Sequence, residues 1–238
     1  MSLATGLGNT GQSRPSGSPC GKSAAQFIVD TVNAHPGQVT LLALASLTNV
    51  ALALHLDPSI ASKLHRLVYL GGAFFVMGNV NPACEANVWH DPEAADWVLG
   101  AFPEGVTHVV GLDVTTRSIM SGAHLEALRD GGGRFGSYCW SICQFYKAYH
   151  QRVMGLDGIY LHDPTAYVAA VEPELFTWTD GAVKVATDPG CARGKTLLDT
   201  RAKKWALAND WTTRPGCRVA LDLDAPAVLE RIMARLSE

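Results

Sequence analysis

Val39-Thr40-Leu41-Leu42-Ala43-Leu44-Ala45 is a near-continuous apolar run of strand length. Before it, Ser23 to Ala34 sets Ala24, Phe27, Ile28 and Val32 on one helical face and stops at Pro36-Gly37. After it, Thr48 to Leu56 reads as the next helix. An apolar run flanked by helices, without polar alternation, predicts a buried parallel strand.

The same alternation continues. Strands are expected at Leu67 to Leu70 and Val106 to Leu112, and a helix at Asp91 to Gly100 with Asp91 as N-cap and Pro92 at its first position. His124 to Asp130 and Tyr138 to His150 read as helices, followed by a loop rich in Gly and Asp and a helix starting near Asp163. Phe176 to Ala186, Thr196 to Thr200 and Arg218 to Leu223 are strand-like, and Ala225 to Leu236 is an amphipathic helix. Residues Met1 to Gly21, rich in Gly, Ser, Pro and Thr, read as loop. The fold class is α/β: a Rossmann-like, mostly parallel sheet flanked by helices, in one domain.

The charge balance, 19 basic against 22 acidic residues and well mixed, offers no basic face, so nucleic acid and membrane partners are not expected. The start of the chain lacks a charged block followed by an apolar one, so a cytoplasmic setting is expected. In a reducing compartment the six scattered cysteines are expected as free thiols. Cys139 and Cys143 lie one helical turn apart, but no Cys or His pair completes a tetrahedral zinc set.

In open α/β sheets ligands bind outside the carboxyl ends of the strands. Three polar islands fall there: Asn49 after the first strand, Gly71 to Asn87 after the second, and Asp113-Val114-Thr115 after the third. A further island is His162-Asp163-Pro164. Each has a plain structural reading too. Asn79 suits a turn, Asp163 and Thr48 suit helix N-caps, His150 suits a structural histidine and Tyr149 a packing residue.

Taken in order, Leu47-Thr48-Asn49, Gly71-Gly72, Gly78-Asn79, Glu85, Asn87, Asp91-Pro92-Glu93-Ala94-Ala95 and His162-Asp163-Pro164 resemble the inosine-uridine-preferring nucleoside hydrolases from about Gly6 onward. Gly6-Leu7-Gly8-Asn9-Thr10 and Phe145-Tyr146 to His150 resemble the plant-type branch. The resemblance implies hydrolysis of the N-glycosidic bond of a ribonucleoside such as uridine or inosine, through an oxocarbenium-like sugar, to ribose and free base. It implies a calcium ion holding the ribose hydroxyls and the attacking water.

Carried over, Asn79, Glu85 and Asn87 would hold the ribose. Asp163 and the backbone carbonyl of Thr48 would bind calcium, and His162 would assist the departing base. His150 and Tyr149 are secondary candidates for base contacts. A dimer or tetramer, as a homo-oligomer, is also implied.

Two departures from the family pattern shape the expectation. Ser46 stands where a Pro is common. More important, the family's opening strand and Asp-rich loop, of the form DxDxxxDD, supply most calcium carboxylates and the catalytic base, whereas no Asp precedes Asp30 here. The expectation is therefore a nucleoside hydrolase fold truncated at its N-terminus, lacking that first strand and loop, with weak calcium binding and slow or absent hydrolysis. The alternatives are a non-catalytic ribose-binding or oligomer-partner protein, and an unrelated enzyme using His162 and Asp163 otherwise.

Overall fold

The computed structural model describes residues 7–13, 16–131 and 133–238. The chain begins its regular structure with α1 (Ala24–Ala34), β1 (Thr40–Ala43), α2 (Thr48–Leu56) and β2 (Arg66–Leu70). It continues with α3 (Ala86–His90), α4 (Pro92–Val98), β3 (Thr107–Val110), α5 (Leu112–Thr115) and β4 (Ile119–Ser121). Then come α6 (Gly122–Gly131), α7 (Gly133–Met154), β5 (Gly158–Tyr160) and α8 (His162–Val171). β6 (Phe176–Val185), β7 (Thr196–Asp199), β8 (Gly216–Leu223) and α9 (Ala225–Leu236) complete it.

The sheet runs β1-β2-β3-β8-β6-β7. Its first four strands are parallel, while β6 is antiparallel to both β8 and β7. The mostly parallel α/β layering is thus as the alternation predicts. Successive side chains along a strand point to opposite faces, which splits the core in two. Leu67, Tyr69, Val109 and Val219 pack against α1, α2 and α4. Val68, Leu70, Val110 and Ala220 pack against α6, α8 and α9.

Several expectations need correction. β1 is parallel but not buried: it lies at the sheet edge with Thr40 and Leu44 exposed, and no strand flanks its outer side among the described residues. The third strand stops at Val110 because the Leu112 amide turns to donate to the Gly72 carbonyl (2.9 Å) and α5 begins. Asp163 does not cap α8: Leu161 occupies the cap without a side-chain bond, and Asp163 stands in the first helical turn, where a carboxylate suits the helix dipole. Thr48 is likewise inside α2, behind an uncapped Leu47. Asp91 does cap α4, accepting from the Ala94 amide at 3.0 Å.

Sequence pattern missed α3 and the short antiparallel pair β4 and β5. Of the expected N-terminal loop, residues 1–6 and 14–15 lie outside the described set, and the described remainder through Gly21 holds no helix or strand. All six cysteines are unpaired, and no helix among the described residues is long and apolar enough to cross a membrane.

His108 gives the sheet an acid-sensitive point. It is 3% exposed on β3, its Nδ1 has no partner, and its ring lies 4.8 Å from that of Trp178. Burial, reinforced by the charges of Arg66 and Arg218, lowers its pKa from 6.5 to about 4. Between those values the unfolded chain binds a proton that the folded chain does not, so stability falls as pH falls from 6.5 toward 4. Between pH 7 and pH 5 this costs about 2 kcal/mol. In urea unfolding at the two pH values, His108→Phe is expected to lose that much less stability than the parent; equal losses would show that His108 is not held neutral.

Candidate active site

The 71–87 loop leaves the carboxyl end of β2 and is fastened from four directions. Glu85 is the central fastening. Only 5% exposed, it accepts hydrogen bonds from the amides of Asn87 (2.8 Å), Gly72 (3.0 Å) and Val88 (3.2 Å), capping α3 and tying the start of the loop to its end. Burial raises its pKa, and the three amides oppose that rise without cancelling it.

Asp113, at the start of α5, accepts from the amides of Phe74 (2.9 Å) and Phe75 (2.8 Å). Thr196 Oγ1 accepts from the Ala73 amide at 2.9 Å, and Lys195 Nζ donates to the Ala73 carbonyl at 2.6 Å. Gly72 has φ +91°, a backbone conformation that favours glycine, and a Cβ there would also crowd the Thr196 side chain at 3.1 Å.

This scaffold presents the polar groups to a cleft of ≈ 150 Å³ lined by Leu44, Leu70, Asn79, Glu85, Ala86, Asn87, Leu112, His162 and Asp163. Five of the six residues singled out from sequence meet there: Asn79, Glu85, Asn87, His162 and Asp163. Asn79 is exposed, and its Oδ1 accepts from the Ala86 amide at 2.9 Å. Asn87 Nδ2 donates to the Leu70 carbonyl at 2.9 Å and, more weakly, to that of Leu44 at 3.4 Å. The side-chain oxygen of Asn87 is left as an acceptor.

Thr48 is not brought to the cleft. Its hydroxyl donates to Asp91 Oδ2 at 2.5 Å, and the residue lines a separate shallow pocket with His55, Asp91 and Trp97. The chain passes the cleft earlier, at the carboxyl end of β1, so Leu44 supplies the carbonyl there. His150 also lies off the cleft. It is 1% exposed and packs edge-on against Tyr146 (4.1 Å) and Tyr160 (5.1 Å), with Tyr149 beside it.

His162 opens α8, its Nδ1 lies 2.7 Å from the hydroxyl of Thr115, and its ring is 5.5 Å from that of Tyr160. Burial, with a smaller effect from His150, lowers its pKa to about 4, so the imidazole is neutral at pH 7. Asp163 stands at the rim. Burial raises its carboxyl from the ordinary value, and a bond from its own backbone amide opposes that rise, while the residue as a whole stays exposed.

Behind His162 and Asp163 a second hollow of ≈ 310 Å³ is lined mainly by apolar and aromatic groups, including Met120, Cys143, Tyr146, Ile159 and Tyr160. Larger hollows, ≈ 570 Å³ beside β7, ≈ 830 Å³ between α8 and α9 and ≈ 410 Å³ along α2 and α4, are lined by none of the five residues that meet in the cleft. Size alone does not mark the site.

As a calcium centre the residues present do not fit. A hard dication takes six to eight oxygens, several of them anionic. The cleft offers the Asp163 carboxylate and the Leu44 carbonyl, with Glu85 already committed to amides, and no cluster of three His, Cys, Asp or Glu gathers as metal ligands among the described residues.

Two asparagines and a buried carboxylate on one wall face an imidazole and a carboxylate on the other, at the carboxyl ends of parallel strands, where ligands of open α/β sheets bind. The chain belongs to the inosine-uridine preferring nucleoside hydrolase family, which matches residues 2–230. It is 44% identical over 231 residues to uridine nucleosidase 1 of Arabidopsis thaliana, covering 97% of this chain and 68% of that protein. A probable uridine nucleosidase 2 of the same plant is 43% identical over 233 residues, covering 98% and 71%. Among solved structures, a plant nucleoside hydrolase, the PpNRh1 enzyme, superposes with TM-score 0.95 at 40% identity, covering 98% of this chain and 73% of that one.

Lys195 and Thr196, which reach the loop from more than 100 residues away, carry no motif that marks them beforehand. The island containing Asp113 and Thr115 was visible as a loop, but its bonds to Phe74, Phe75 and His162 were not.

The bonding of Glu85 separates scaffold from ligand contact. Glu85→Ala would strand three amides, two in buried bonds, and is expected to lower the unfolding free energy by about 3 kcal/mol. Asn79→Ala, at an exposed site with one such bond, should cost less than about 1 kcal/mol. Chemical denaturation of the two variants gives the comparison, and equal losses would contradict the assignment.

Proposed function

We propose that this protein recognises a ribonucleoside, with uridine the first choice, and acts on its N-glycosidic bond by hydrolysis to ribose and free base. The observation that carries the proposal is the meeting of Asn79, Glu85 and Asn87 with His162 and Asp163 in one cleft. Asn79 and Asn87 offer paired donors and acceptors suited to vicinal hydroxyls. The one acceptor site that Glu85 keeps on Oε1, beyond its three amide bonds, faces the floor of this wall.

The base would extend past His162 toward the apolar hollow, where aromatic side chains suit a planar ring. Leaving-group departure needs hydrogen bonding or proton donation to the base, and His162 stands between ribose wall and hollow. Preference for uridine is supported by the names of the plant relatives at 43–44% identity.

Water activation is the weaker half. Asp163 lines the cleft with its carboxylate bonded to its own backbone amide, and one anionic ligand with one carbonyl makes a poor calcium site. We infer that the 238-residue chain binds nucleoside through its ribose wall but turns over slowly, and that calcium adds little. In a ribose-release assay with uridine and inosine beside the Arabidopsis uridine nucleosidase 1, turnover is expected at least ~100-fold lower, the scale of a missing acid–base contribution. Chelator should change it little. Matching turnover, or strong calcium dependence, would overturn the inference; uridine binding without any turnover would favour the non-catalytic reading.

A further inference from the structure

The short helix α5 serves both halves of the cleft. Its first amide, that of Leu112, donates to Gly72, and Asp113 holds Phe74 and Phe75, so the helix is locked to the ribose-facing loop. At its far end Thr115, 0% exposed, places Oγ1 2.7 Å from Nδ1 of His162. That contact has two chemical forms. The hydroxyl donates to a lone pair on Nδ1, or the ring donates an Nδ1 hydrogen to the hydroxyl oxygen.

The surroundings decide between them. A buried hydroxyl hydrogen left without an acceptor is costly. The local alternatives are occupied: the Gly111 carbonyl already accepts from the amides of Val114 and Thr115, and the Leu112 carbonyl accepts from the Thr116 amide and hydroxyl. His162 Nδ1 is the acceptor in reach. With the hydroxyl donating, the neutral ring must carry its hydrogen on Nε2.

We propose that Thr115 is a positioning residue that holds His162 in the Nε2–H tautomer, so that the ring presents a hydrogen-bond donor toward the cleft. The proposal deepens the nucleoside hydrolase reading and rests on it for the identity of the acceptor, the departing base. The tautomer itself follows from the Thr115 contact together with the occupied carbonyls of Gly111 and Leu112, whatever the ligand. Without it the ring is free to present a lone pair, which repels the basic nitrogen or oxygen atoms of a leaving base.

The test is a long-range proton–nitrogen imidazole spectrum of the nitrogen-15-labelled chain at pH 7, with the His162 signals assigned by loss in His162→Gln. A pyrrole-type Nε2 and a pyridine-type Nδ1 are expected. Thr115→Ser should keep that pattern, and Thr115→Val should shift His162 toward the other tautomer or a mixture. A parent spectrum showing hydrogen on Nδ1 overturns the proposal even if the variants do not fold, and so does an unchanged tautomer in a folded Thr115→Val. The spectrum needs no turnover. The expected tautomer in a protein that neither binds nor cleaves uridine would count against the functional reading and leave this one standing.

Discussion

The carboxylate of Glu85 is the constraint on which the site depends. A 17-residue stretch from Gly71 to Asn87 would otherwise pay a large entropic cost to hold two asparagines in register. Three amide bonds to one buried carboxylate join the loop's first residues to the helix that ends it. The raised pKa records the desolvation this entails. The three charge-assisted bonds offset part of that desolvation. Glu85 is therefore both the floor of the cleft and the fastener of its loop.

The opposite wall is fixed by a different element. His162 and Asp163 begin α8, packed against the apolar face formed by Val68, Leu70 and Val110. α5 bridges the walls, with Asp113 holding one and Thr115 the other. The relative placement of ribose wall and imidazole thus rests on a helix of four residues, itself set by the end of β3. The carboxylates that line this cleft are Glu85 and Asp163, one on each wall.

Much of the fold was legible because apolar strands and amphipathic helices have distinct periods. Asp91-Pro92 announced α4 through a cap and a pre-set first residue, and both are present. What escaped detection was short or non-local. α3 has five residues and owes its start to a glutamate whose partners include Gly72, 13 residues back. β4 and β5 have three residues each, too few to show alternation. β1 looked buried because its apolar run says nothing of whether a neighbour lies on each side. In the site, motif spacing brought the asparagines, Glu85, His162 and Asp163 to one cleft, whereas Thr48 lines another pocket, its hydroxyl bonded to Asp91. Lys195 and Thr196 carry no local signal, since their contact with the loop exists only once β7 is in place.

The central claim is that these residues form a ribose-recognising cleft organised by Glu85. It is tested most directly by titrating uridine into the nitrogen-15-labelled chain in the presence of chelator and following the side-chain amide signals of Asn79 and Asn87. The account predicts saturable shifts of both signals, with free uracil failing to reproduce them. Shifts confined to residues of the aromatic groove beside β7, such as Trp205 and Trp211, or no saturable shift at Asn79 and Asn87, would contradict it.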